Sequence, residues 1–275
     1  MSARRLLAPD EHALVPRPVY QHLKRAPEAA PRSFTEVPLV LDGDRWIFDL
    51  EALCAARTPK TRAFYLCNPQ NPGGTVFTRD ELLALAECVP ECTIVSDEIH
   101  CDLVLDPLAR HVPIASLDRD ISRRTVTLMS ANKTFNFPAA GCGWAVIEDA
   151  RLRAAMSVEL QAHVLPSPSV FGYAATLAAL RHGGAWLAAL IEYLRGNRDL
   201  IERELQLPMA RVQATFLAWI DARAIENAQE RFLQQGVALS PGEQFGAPGF
   251  VRLNFGTQRA RLQEALRRMR RAAGS

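Results

Sequence analysis

The sequence is poor in lysine. Of its 32 basic residues only Lys24, Lys60 and Lys133 are lysines; the other 29 are arginines. Arginine keeps its proton in a protein, whereas lysine can release it. Amine chemistry therefore has three candidate positions. A charge excess is also missing: 32 basic and 30 acidic residues leave a net charge of +2, so no global field draws the chain to nucleic acid or an anionic membrane. No apolar run approaches the ~18 residues of a membrane span. Arg4, Arg5, Asp10 and Glu11 arrive before any apolar stretch of signal length, which argues against a signal peptide. The six cysteines, Cys54, Cys67, Cys88, Cys92, Cys101 and Cys142, contain no C-x-x-C pair. Cys88 and Cys92 lack a second pair or a nearby histidine to complete a metal set. The expectation is no metal, and reduced thiols in a cytoplasmic protein.

What remains is an ordinary globular composition, 48% hydrophobic and 23% charged over 275 residues, enough for one large domain or two modest ones. Strand candidates at 63–67, 93–97, 125–129 and 144–147 are short and mostly apolar. A helix is predicted over 79–89, opened by Thr78 with Glu81 three residues on, a capping box. Apolar strands alternating with helices predict an α/β fold, a mostly parallel sheet covered on both faces. From about 150 to 205 the pattern is helical. Strands at 216–220 and 250–253 and a closing helix over 259–272 then predict a smaller α+β unit. The expected division is 1–183, a large domain, and 184–275, a long connecting helix with a small C-terminal domain. The Arg267–Arg271 run reads as the solvated last turn of a helix, where cations suit the dipole, or as a nucleic-acid patch.

In a parallel α/β sheet, ligands bind beyond the carboxyl ends of the strands. Three predicted strands are followed by polar segments: 68–74, Asn-Pro-Gln-Asn-Pro-Gly-Gly; 96–100, Ser-Asp-Glu-Ile-His; and 130–136, Ser-Ala-Asn-Lys-Thr-Phe-Asn. Lys133 is the only charged residue between Thr125 and Ile147. Such surroundings suggest burial, which lowers a lysine pKa and makes the amine a nucleophile and proton shuttle; a lysine snorkelling from a strand end is the other reading. Lys24 and Lys60 stand near arginines, in exposed-looking turns. Asp97 closes an apolar strand and needs a cationic partner there, either the protonated ring nitrogen of a cofactor or an arginine. A lysine and an aspartate at neighbouring strand ends suit pyridoxal phosphate, the lysine for the Schiff base and the carboxylate for the pyridinium nitrogen.

At these residues the chain resembles the class I/II aminotransferase superfamily of fold-type I pyridoxal-phosphate enzymes. The segment 68–74 is similar to the superfamily's N-P-x-N-P-T-G turn. The segments around Asp97 and Lys133, with Leu239-Ser240-Pro241-Gly242 and Gly249-Phe250-Val251-Arg252-Leu253-Asn254, resemble the cystathionine β-lyase branch of MalY–PatB type. The motifs run in order from Pro18 to the C-terminal helix. The resemblance implies Lys133 as the lysine that carries the cofactor, and Asp97 as the partner of its ring nitrogen. It implies Asn71 on the phenolic oxygen with His100 close by, Tyr20 stacked on the ring, and Ser130 on the phosphate. Arg252 would grip the substrate carboxylate through a bidentate fork; a surface arginine is the other reading of that residue.

The chemistry so implied is cleavage of cystathionine or cysteine S-conjugates to thiol, pyruvate and ammonia, by a homodimer. The alternatives are an aminotransferase using the same site, and a non-catalytic homologue or partner subunit. Against the family pattern, no glycine precedes Gly43, where a glycine-rich phosphate loop is expected. Gly141 stands where many relatives carry a basic residue, and Asn132 where serine is usual. The resemblance thus implies a form shortened at its N-terminus, with weaker phosphate anchoring.

Overall fold

The computed structural model describes residues 2–138, 142–162 and 168–274. A seven-stranded sheet has the order β3-β2-β1-β4-β5-β6-β7, with β1 His12–Arg17, β2 Ser33–Asp42, β3 Arg45–Phe48, β4 Thr61–Cys67, β5 Thr93–Asp97, β6 Thr125–Ser130 and β7 Gly143–Val146. The five strands from β2 to β6 are parallel. The two edge strands are antiparallel, so the expectation of a mostly parallel sheet is met and its edges are the exception. Strands β1 to β3 were not among the expected ones. The buried run Ala13-Leu14-Val15 is short and ends on Pro16, and β2 interrupts its apolar residues with Glu36 and Pro38.

Helices cover both faces. On the rear face lie α3 (Leu50–Ala55), α4 (Arg79–Cys88) and α5 (Arg119–Arg123). Their Leu53, Leu82, Leu85 and Ile121 pack with Phe64, Leu66 and Ile94 of the sheet. Full burial contributes about 1.5–3 kcal/mol for each such side chain. The front face carries α1 (Ser2–Leu6), α2 (Gln21–Ala29) and α7 (Ala150–Ala162), with a core that joins Leu7, Leu23, Tyr65, Cys67 and Val95. The capping box of α4 forms as expected: Thr78 Oγ1 accepts from Glu81 N–H at 3.2 Å, and Glu81 Oε2 accepts from Thr78 N–H at 2.7 Å.

The second sheet is small and antiparallel, β8-β10-β9, made of Leu217–Asp221, Phe250–Asn254 and Ser240–Pro241 in that order. It packs with α9 (Gly184–Glu204), α10 (Ala228–Gln234) and α11 (Arg259–Ala273). Leu103 and Leu105, from the loop after β5, enter this second core. The arginines late in α11 have acidic partners: Arg267 and Arg268 share Glu264, and Arg270 reaches Glu204. That favours the solvated last turn over a nucleic-acid patch. No single helix among the described residues is long and apolar enough to cross a membrane.

The cysteine expectation needs correction. Cys54 and Cys88 form a disulfide between α3 and α4, while Cys67, Cys92, Cys101 and Cys142 are free. The two partners stand 34 residues apart. Only the antiparallel packing of two short helices brings them together, and spacing alone carries no sign of that. Among the described residues no cluster of histidine, cysteine or acidic side chains could hold a metal ion.

Candidate functional site

The sheet order reverses beside β1: the chain moves outward to β2 and then returns to β4 on the other side. At such a switch point the loops leave in opposite directions and open a crevice above the carboxyl ends. Four ends meet there, β1 followed by Pro18-Val19-Tyr20, β4 by Asn68 to Gly74, β5 by Asp97, and β6 by Ser130 and Lys133.

The turn after β4 is built to hold Asn71. Gln70 Oε1 accepts from Gly73 N–H at 2.5 Å, and Gln70 Nε2 donates to Pro18 O at 2.7 Å. The second bond ties the turn to the loop that carries Tyr20. Gly74 has φ +77°, and a Cβ there would stand 3.2 Å from Val212 Cα, so glycine suits both the dihedral and the close approach. Asn71 is buried. Its Oδ1 accepts from Arg252 Nη1 at 2.9 Å, which leaves the amide N–H groups as donors toward the crevice.

Arg252 comes from β10. Its Nη2 donates to Ser240 Oγ at 3.3 Å, and its guanidinium lies 4.5 Å from the centroid of Phe245. It is half-buried and thus not a free surface arginine. Tyr20 caps α2 and packs against the cluster of Trp219 and Phe245. Burial raises its phenol pKa first; Arg252 opposes the rise and Asp97 adds to it.

Asp97 sits opposite Cys67 on β4 and Leu128 on β6. Oδ1 accepts from Ile99 N–H at 3.2 Å, and no ion pair joins Asp97 to a cation among the described residues. Burial raises its pKa; the Ile99 bond and Lys133 lower it, and Glu98 raises it. The carboxylate is therefore set in apolar surroundings with its charge uncommitted. His100 is buried, edge-on to Phe216. Burial, then Lys133 and Arg252, push its pKa down to about 3, so the ring is neutral. Its Nδ1 has no partner.

Lys133 lies in α6 (Ala131–Thr134), which follows β6 directly. The expectation of burial is overturned: the residue is exposed. Charge-free neighbours in sequence turn into the walls of an open cleft, because the one-turn helix lifts Lys133 off the sheet edge. A cavity of about 530 Å³ opens beside it, with Asn132, Phe216, Asn254 and Arg261 among its walls. The other two lysines are committed elsewhere, Lys24 to Glu36 at 3.3 Å and Lys60 to Asp10 at 3.7 Å. Lys24 belongs to α2 rather than to a turn. Ser130 caps α6: its hydroxyl accepts from Asn132 N–H at 3.2 Å and donates to Cys142 O at 2.7 Å. Gly141 lies outside the described residues.

The structure thus brings Tyr20, Asn71, Asp97, His100, Lys133 and Arg252 to one crevice, with Ser130 at the base of α6. Sequence reasoning had missed Gln70, Phe245 and the positioning part of Ser240. Ser240 stood in a quoted motif, but only strand pairing sets it opposite Arg252.

Residues 2–269 match the family model "Aminotransferase class I and II". The chain is 35% identical to the cystathionine beta-lyase PatB of Bacillus subtilis (strain 168), a match covering 99% of this chain and 74% of that protein. It superposes on the crystal structure of OvoB with a TM-score of 0.95 and 39% identity, covering 100% of this chain and 74% of that one. With the PLP-bound C-S lyase of Staphylococcus hominis the TM-score is 0.90 and the identity 26%, over 98% and 72% of the two chains.

Proposed function

The chain belongs to the class I and II aminotransferase family, and from that premise we propose that it is a pyridoxal-phosphate-dependent carbon–sulfur β-lyase. Its substrates are cystathionine or cysteine S-conjugates. With one water consumed, the Cβ–S bond breaks to give thiol, pyruvate and ammonia. The observation that carries the reading is the convergence of Lys133, Asp97, Asn71 and Arg252, from four separate parts of the chain, on one crevice.

The residues fit the ring end of the cofactor. Asp97 is a buried carboxylate without a bonded cation, the complement of a protonated pyridine nitrogen. Asn71 has its oxygen engaged by Arg252 and its N–H donors free for an anionic phenolic oxygen. His100, with an unpartnered Nδ1, stands by, and Tyr20 supplies an aromatic face. At the phosphate end Ser130 is the candidate. Its hydroxyl would have to turn from Cys142 O.

When bound, the cofactor supplies an electron sink for the pair left at the substrate Cα. The chain's own residues supply the rest. Lys133 Nζ takes the proton from Cα as general base. Asp97 holds the proton on the ring nitrogen. Arg252 binds the substrate carboxylate through its fork and so fixes which Cα bond faces the lysine. His100, neutral at working pH, adds no charge to the site.

Pyruvate release from cystathionine tests the reading. The wild-type chain should form a visible absorption band with added pyridoxal phosphate and release pyruvate, and Lys133→Ala should lose both. An absent band in the wild type would favour the non-catalytic homologue. Turnover that requires an added keto acid would favour the aminotransferase, which the family's description also suits.

We also propose a homodimer. It is supported by the apolar face of α8 (Val170–His182), where Val170 is 81% and Phe171 83% exposed. The division at 183/184 is supported by the two sheets and their separate cores. A cytoplasmic location rests on the four free cysteines, and a thiol count on protein taken from the cytoplasm tests it against the Cys54–Cys88 bond.

A further inference from the structure

A second cavity, of about 710 Å³, lies on the rear face at the β5–β6–β7 end of the sheet. It is separate from the crevice. Ser96 pairs with Thr127 in register, and strand alternation turns both away from the side of Asp97. Glu98, 1% exposed, folds back to the same side: its Oε1 accepts from Ser96 Oγ at 2.8 Å and its Oε2 from His111 Nε2 at 2.9 Å. Glu98, His111 and Thr127 all line the cavity.

Two polar atoms in these walls have no partner. Thr127 is 4% exposed, and its Oγ1 is unbonded. His111, with a side chain 10% exposed, donates from Nε2 to Glu98, so Nδ1 of the neutral ring is a bare acceptor, also unbonded. A buried polar atom left unpaired costs about 1–3 kcal/mol, and a ligand that bonds it removes that cost. Both atoms accept, so the ligand must donate. Glu98 and Asp102 line the cavity as acids, while Arg110, its one guanidinium, is exposed. This balance favours a cation over an anion. Val104, Pro113, Met129 and Val146 supply an apolar wall, and the volume lies in the range of small-molecule sites.

We propose that this cavity is a second ligand site, for a small amphipathic amine whose N–H donates to Thr127 Oγ1 and His111 Nδ1 and whose apolar part lies against Met129 and Val146. Triethylammonium is the probe. It carries a single N–H and cannot form a Schiff base with the cofactor. Tetraethylammonium, with the same charge and no N–H, is the control.

With the holoenzyme and ¹³C-methyl methionine, triethylammonium at millimolar concentration should shift the Met129 signal, and tetraethylammonium should bind at least tenfold more weakly. Thr127→Val should cost about tenfold in affinity. Val146→Trp, a filling of the mouth at a residue already 54% exposed, should abolish the Met129 shift and leave the cofactor's absorption unchanged. Equal binding of the two ions, or no Met129 shift with triethylammonium, overturns the proposal.

Discussion

The two faces of the sheet treat neighbouring carboxylates in opposite ways. On the front side of β5, Asp97 keeps one backbone bond and has no ion pair with a cation among the described residues. On the rear side, Glu98 is satisfied by Ser96 and His111. One residue of chain separates them, and strand alternation sends them to different environments. An ion held unpaired in apolar surroundings is destabilising, and such strain is tolerated where a ligand later relieves it. A satisfied carboxylate is a structural feature. The covering layers differ in the same sense: the rear helices α3 and α4 are cross-linked by Cys54–Cys88, whereas no disulfide joins the front helices α1 and α2.

The contrast can be broken by mutation. The largest effect belongs to the front: Asp97→Asn should lower cystathionine turnover by ~10³-fold, because losing one partner of a buried charge pair costs about 3–5 kcal/mol. Glu98→Gln should leave turnover within about threefold. If both variants lose activity alike in a pyruvate assay, the two faces are not independent.

Next comes the rear cross-link. Removing Cys54–Cys88 by Cys88→Ser releases a span of 34 residues and should lower the urea-unfolding free energy by about 3–4 kcal/mol on the chain-entropy account, with the cofactor's absorption retained. A change in absorption without a loss of stability would reverse the assignment of the bond to the rear layer.

Glu98→Gln should cost about 1–2 kcal/mol of stability, since a neutral acceptor replaces a charged one opposite His111.

The smallest effect, per pH unit, comes from His100. Its folded pKa is about 3, against 6.5 ordinarily. Between those values the unfolded chain takes the proton and the native one does not. Stability is therefore complete above the ordinary value and falls with acid by about 1.4 kcal/mol per pH unit until about pH 3. His100→Phe should flatten that acid limb in urea titrations of the cofactor-free protein. An unchanged slope would mean that the ring is not buried neutral.

Much of this could be read before folding. β4, β5 and β6 showed as apolar runs because both of their faces are covered, and α4 announced itself through Thr78 and Glu81. β1 to β3 did not. β2 is half-exposed and broken by Pro38, and β3 is four residues long, too short for periodicity to register. The reading of Lys133 erred for a different reason. A lack of charges in sequence measures neighbours along the chain, whereas exposure depends on what packs across space.

By itself, the sequence determined the alternation of strands and helices, the polar segments that close β4, β5 and β6, and the identity of the groups available for chemistry. Those follow from local patterning and residue type. Only the tertiary structure decided which groups meet. Arg252 reaches Asn71 across 181 positions, Cys54 finds Cys88 through helix packing, and Asp97 and Glu98 part because a strand has two sides. Contacts between residues far apart in sequence depend on strand order and register, and these are set by the burial of the whole sheet rather than by any one segment.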